Sequence, residues 1–149
     1  MIAFRDATLA DVSAVVALLA DDVLGRTREA PDITPYLAAF QRIGEECGNH
    51  LIVGVEPEGK VVATYQITFI SGLSLHAARR AQIESVRVAG DQRGQGIGRA
   101  MFEDAYGRAR AAGCSLVQLT MNESRTDARR FYESLGFAAT HTGFKRTLD

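Results

Sequence analysis

Residues 86–105 read VRVAGDQRGQGIGRAMFEDA. Val86 and Val88 alternate with Arg87, which reads as the end of a strand. Ile97, Met101 and Ala105 then recur at helical spacing, so a helix starts near Gly96. Between them stand Gly94, Gly96 and Gly98, with Arg93 before and Arg99 after. Glycine inside regular structure costs about 0.5–1 kcal/mol relative to alanine, so three in five positions mark a backbone kept bare. A triphosphatase-type phosphate loop is excluded, because no Lys-Ser or Lys-Thr pair follows the glycines. A dinucleotide fingerprint is excluded too, because Arg99 stands where its third glycine belongs. What remains is a strand, a short loop and a helix start. Free N–H groups and the positive end of the helix dipole favour an anion there, and the two arginines add charge. The expected ligand group is a phosphate or pyrophosphate.

Outward from this stretch, the elements alternate. Thr8 to Asp11 has the spacing of a capping box, and Val12, Val15, Val16 and Leu19 follow helical spacing over 8–23. Residues 25–32 read as a polar loop. Thr34 and Pro35 cap a second helix that runs to Glu46. HLIVGVE (50–56), VVATYQITFI (61–70) and AQIESVRV (81–88) read as strands. In the second of these Val61, Ala63, Tyr65, Ile67 and Phe69 point to the core. Thr64, Gln66 and Thr68 point to solvent or a site. After the glycine helix, which Gly113 stops, SLVQLTM (115–121) is a strand. A helix over 124–135 ends at Gly136, and residues 137–148 close the chain as a strand. The order predicts an α/β chain with a mixed, mostly antiparallel sheet and helices on both faces.

The 149 residues carry 17 basic and 18 acidic side chains, a net charge of −1. One domain over 1–149 is expected. The charge gives no support to a nucleic-acid partner. No apolar run approaches the roughly 20 residues that span a bilayer, and no signal peptide is visible, so a cytoplasmic protein is expected. Cys47 and Cys114 read as reduced thiols. His50, His76 and His141 have no metal-site spacing.

Arg93-Gly94-Gln95-Gly96-Ile97-Gly98 resembles the acetyl-CoA signature [Q/R]-x-x-G-x-[G/A] of the GNAT acetyltransferase superfamily. ARRFYESLGF (128–137) resembles that family's second signature, and the element order is similar along nearly the whole chain. The resemblance implies an acetyl-CoA-dependent N-acetyltransferase acting on a small-molecule primary amine, by direct attack in a ternary complex. It implies a pyrophosphate held at Arg93, Gly94, Gln95, Gly96, Ile97, Gly98 and Arg99. It also implies a pantetheine arm paired with Val86, Arg87 and Val88. Asn122, Ala128 and Phe131 belong to the implied acetyl-CoA site through the second signature. Here the sequence departs from the pattern, with Arg125 where an asparagine is common and Asn122 three residues earlier.

Glu84 is the expected general base. It has the strand parity of Val86 and Val88, and partial desolvation there would raise its pKa. A strand bulge, frequent in the family, would change that parity. An ion pair with Arg79 or Arg80 is the plain alternative for Glu84. The resemblance gives Tyr132 the role of acid to the leaving thiolate; spacing alone makes it a core aromatic. Arg129 or Arg130 is a candidate for the 3′-phosphate. The acceptor is expected against DDVLGRTREAPD (21–32), where Asp21, Asp22, Glu29 and Asp32 face Arg26 and Arg28. A non-catalytic acyl-CoA-binding regulatory module, or acetylation of a protein amine, remains the alternative, and many relatives are homodimers.

Overall fold

The computed structural model describes residues 1–21 and 25–149. It contains a five-stranded sheet in the order β1 to β5, in chain order. The strands are β1 (Ala3–Asp6), β2 (Asn49–Val55), β3 (Val61–Ile70), β4 (Arg80–Val88) and β5 (Leu116–Leu119). The four longer helices are α1 (Val12–Ala20), α2 (Thr34–Glu45), α3 (Ile97–Ala111) and α4 (Thr126–Ser134). β1 to β4 form consecutive antiparallel ladders. The chain separates into two compact units, Met1–Gln118 and Leu119–Asp149.

The first unit has its core where the alternation of β3 places it. Ala63, Tyr65 and Ile67 are fully buried, together with Ile52, Ala81 and Ile83 on the neighbouring strands. Ile97, Met101, Phe102, Ala105 and Ala109 form the buried stripe of α3. Tyr65 reaches out of this layer, and its hydroxyl donates to Asp104 of α3 at 2.5 Å. Burial and the Asp104 carboxylate together push the Tyr65 pKa far up, so the hydroxyl stays a donor. Arg108 completes the chain, with its Nε 2.8 Å from Asp104 and its Nη1 3.5 Å from Asp6 of β1. α1 contacts β3 and β4. Thr64 of β3 is 1% exposed, its hydroxyl donating to Ile52 O at 2.9 Å.

Three elements of the first unit differ from the sequence reading. β1 is a strand that sequence reading missed. Four residues with one half-buried side chain carry too little alternation to be seen. The expected first helix opens as a single 3-10 turn, Leu9–Asp11, before α1. There the Asp11 carboxylate accepts the Thr8 N–H at 2.7 Å and the Arg5 guanidinium at 2.7 and 3.1 Å. Arg5 is the main reason the Asp11 carboxyl falls to about 2. The predicted tail of that helix, Asp22 and Val23, lies outside the described residues. Part of the expected 25–32 loop is a single helical turn, Gly25–Arg28.

The second unit is described by itself. α4 ends in left-handed Gly136, and the Phe137 N–H returns to Tyr132 O at 3.1 Å. The Tyr132 ring meets Phe131 at a tilt and Phe137 edge-on, with centroid separations of 5.6 and 6.0 Å. The expected closing strand does not form. Residues 137–149 have no regular structure, and Phe144 and Leu148 are 92% and 84% exposed. Alternation alone does not make a strand; a ladder partner must supply its hydrogen bonds.

Candidate active site

The glycine loop has the predicted form. β4 ends at Val88, a single 3-10 turn spans Gly90–Gln92, and α3 starts at Ile97. Gly94 and Gly96 have φ of +78° and +81°, a region that side chains rarely enter. Among the described residues, no atom lies within 4 Å of where a Cβ would stand on either glycine. The backbone is therefore open on that side. The first bond of α3 runs from the Ala100 N–H to Gly96 O at 3.1 Å. The N–H groups of Ile97, Gly98 and Arg99 are thus the first turn, which has no partner inside a helix. Arg93 and Arg99 are both exposed, and Arg93 Nε donates to Val88 O at 3.3 Å, tying the loop to the strand end. Gln95 does the same work within the loop, donating to Asp91 O at 3.3 Å. This donor set, with bare backbone in front of it, fits an anionic phosphate group.

β4 is not a regular strand. Gln66 pairs with Glu84 and Thr64 with Arg87, so Ser85 and Val86 together stand opposite Tyr65. Ser85 takes the strained conformation, at φ +54°. This is a β-bulge, and it overturns the expected parity of Glu84. Val88 lies opposite Ala63 on the core face, whereas Glu84 shares its face with Arg87, Gln66 and Thr64. Glu84 is exposed, against the expected partial desolvation. It makes no ion pair with Arg79 or Arg80. The Arg79 guanidinium donates to Ser71 at 3.1 Å and lies over the Phe69 ring at 5.9 Å, and Arg80 turns to Gln118.

Among the described residues, the bonds from β5 go to the beginning of β4. Ser115 N–H donates to Arg79 O at 2.9 Å, and Gln118 Nε2 donates to Gln82 Oε1 at 2.7 Å. Four residues of strand span about 13 Å, so β5 is too short to follow β4 past the bulge. The bulged half, with Val86, Arg87 and Val88, runs on toward the glycine loop.

Glu84, Val86, Arg87, Val88 and the loop from Arg93 to Arg99 are thus one continuous segment of the first unit. Asn122, Ala128, Phe131 and Tyr132 belong to the second. The Asn122 side-chain oxygen accepts from the Ser124 N–H at 3.0 Å and its hydroxyl at 2.6 Å, forming the turn before α4. Arg129 pairs with Glu133 at 3.0 Å on an exposed helix face. In the expected acceptor stretch, Glu29 accepts from the Tyr36 hydroxyl at 2.6 Å and Asp32 from the Thr34 N–H at 3.0 Å. Arg26 and Arg28 are exposed, and Asp22 lies outside the described residues.

Sequence reading missed the polar floor beside Glu84. Asn49 Oδ1 accepts from Gln66 at 2.9 Å and Thr68 at 3.3 Å, and Asn49 Nδ2 donates to Glu46 at 2.7 Å. Gln82 and Gln118 continue the band onto β4 and β5. The polar alternation of β3 was visible, but the partners on other strands needed the register.

The model of the family described as the acetyltransferase (GNAT) family matches residues 17–137. A solved structure called a transcriptional regulator, from Bacillus halodurans C-125, is 42% identical. Its TM-score is 0.94, with 99% of this chain and 100% of that one covered. A proposed acetyltransferase from Agrobacterium tumefaciens str. C58 is 29% identical with a TM-score of 0.87, covering 99% and 100%. An aminoalkylphosphonate N-acetyltransferase from Salmonella typhimurium is 37% identical over 73 residues, 49% of this chain and 47% of that protein. The chain spans less than half the length of the curated relatives it matches.

Proposed function

This chain belongs to the GNAT acetyltransferase family, and from that premise we propose that it acetylates a primary amine of a small molecule with acetyl-CoA. The observation that carries the reading is the bulged end of β4 leading into left-handed Gly94 and Gly96 at the start of α3. Acetyl-CoA supplies the activated thioester carbonyl. The first-turn N–H groups of α3, with Arg93 and Arg99, hold the pyrophosphate. Val86, Arg87 and Val88 offer their backbone to the pantetheine amides, and an N–H of this strand steadies the negative charge that develops on the carbonyl oxygen.

An alkyl ammonium has an ordinary pKa near 10.4, so the acceptor must lose a proton before its nitrogen can attack. Glu84 takes that proton. The amine nitrogen bonds to the thioester carbon, the carbon–sulfur bond breaks, the Tyr132 hydroxyl protonates the departing sulfur, and the second proton shed by the new amide nitrogen restores the Tyr132 hydroxyl. Tyr132 holds this role on its motif alone, as do Asn122, Ala128 and Phe131 their contacts. One domain over 1–149, a cytoplasmic setting and a homodimer go with the reading.

The Bacillus halodurans relative's name favours a second reading, a non-catalytic acyl-CoA-binding regulatory module. CoA release from acetyl-CoA, measured across amino acids, aminoalkylphosphonates, polyamines, aminoglycosides and peptides, separates the two. Release with a small amine supports the enzyme; release with peptides alone moves the acceptor to a protein. Acetyl-CoA binding without release from any amine favours the module. Gly96→Asp should abolish acetyl-CoA binding by calorimetry. Gly96→Asn, which tolerates the left-handed conformation and adds no charge, should weaken it less. Unchanged affinity in Gly96→Asp would sink the phosphate assignment.

A further inference from the structure

The polar floor beside Glu84 ends in a half-buried cation. Arg80, Gln82 and Glu84 share one face of β4, spaced about 7 Å apart as alternate residues. Gln66 stands directly opposite Glu84, and Thr68 opposite Gln82. The hydrogen-bond partner of Arg80 is neutral. Arg80 Nη1 donates to Gln118 Oε1 at 3.5 Å, a long bond, and Gln118 is itself committed to Gln82 at 2.7 Å. Among the described residues no carboxylate pairs with Arg80. Half-buried guanidinium groups normally meet an anion, because an amide oxygen repays little of their lost hydration. The carboxylate nearest along this strand face, Glu84, is the one that the proposed reaction needs for the ammonium.

We propose that the acceptor is a zwitterion, a primary amine joined by a short linker to a carboxylate, phosphonate or phosphate. Its ammonium lies at Glu84 and its anionic group at Arg80, while Gln66, Gln82 and Gln118 line the space between the two ends. The Cα positions of Arg80 and Glu84 are about 13 Å apart along the strand. The Arg80 guanidinium lies beside Gly72 and the Gln118 amide, so a rotation of its side chain toward Glu84 would bring it within reach of a short zwitterion bound there. A long polyamine would place a second cation on Arg80 and is disfavoured by the same charge. This inference rests on the acetyl-transfer reading for the position of the amine, but not for the position of the anion.

Three amines of similar length test it: 2-aminoethylphosphonate, β-alanine and propylamine. With wild-type protein saturated in CoA, calorimetry should detect the two anionic amines and bind propylamine at least about tenfold more weakly. Arg80→Gln should remove that difference, while Arg80→Lys, which keeps the charge, should retain part of it. In turnover, Arg80→Gln should raise KM for the anionic amines about tenfold or more and change kcat much less. Equal binding of the three amines by wild type, or a preference that survives in Arg80→Gln, overturns the proposal. Arg80-dependent binding without CoA release would instead retire the acetyl-transfer reading and leave the anion subsite standing. The melting temperature of each variant identifies misfolding, and phosphonate against carboxylate affinity tells which anion the subsite prefers.

Discussion

The two faces of β3 come from one alternating stretch, VVATYQITFI, yet they do different things. Ala63, Tyr65 and Ile67 are fully buried, and α3 meets this face through Tyr65 and Asp104. Gln66 and Thr68 stay half-buried and bond to Asn49 rather than to apolar neighbours. β4 copies this division as far as Glu84, and then the bulge resets it. The lesson is that one face is held throughout by exclusion of water, whereas the other is buried at Val62 and Thr64 and held by directed hydrogen bonds at Gln66 and Thr68. A substitution on the first should cost stability, and one on the second should cost chemistry.

The largest effect should come from the polar face. Glu84→Gln is expected to lower kcat about 10²–10⁴-fold, the usual range for a general base, with the melting temperature held. Tyr132→Phe should lower kcat by less, since water can protonate a thiolate. Full activity in both variants would break the proposed roles. On the apolar face, Ile67→Ala should cost about 2–5 kcal/mol in denaturant unfolding and leave kcat of the folded fraction near wild type. A kinetic defect without a stability defect there would contradict the division.

The bulge can be probed next. Ser85 at φ +54° bears a left-handed strain of about 1–2 kcal/mol. Ser85→Gly should therefore stabilise the chain by up to about 1 kcal/mol, and Ser85→Val should destabilise it by more than that. The smallest effect is expected at the Asp11 clasp before α1. The Arg5 partnership lowers the Asp11 carboxyl to about 2 from 3.8. A lowered carboxyl stabilises the fold fully above about pH 4, and that share is lost as pH falls toward 2. Because Arg5 is about half exposed, solvent screening holds the share below about 1 kcal/mol. Asp11→Asn should flatten the acid limb of a stability-against-pH curve.

Elements with strong local signals were legible in advance. The strand at 61–70 and the helix after the glycines stand where their periods put them, and Gly113 and Gly136 end their helices in the left-handed conformation. Weak local signals failed. β1 is four residues long and is held by its ladder to β2. The closing stretch has a strand's alternation but forms no ladder.

The same limit divides the site. Bare glycines, a strand before them and a helix after them are properties of neighbouring residues, so the phosphate-type loop could be read from order alone. Which way Glu84 faces could not, because a single extra residue in β4 inverts every side chain on one side of it. Nor could the floor of Asn49, Gln66, Gln82, Gln118 and Arg80 be read. Those residues come from four strands, and only the register between strands brings them to one surface. Local sequence determined the bare-glycine loop at the start of α3; the cross-strand pairing, a property of no single segment, decided which side chains share a face with Glu84.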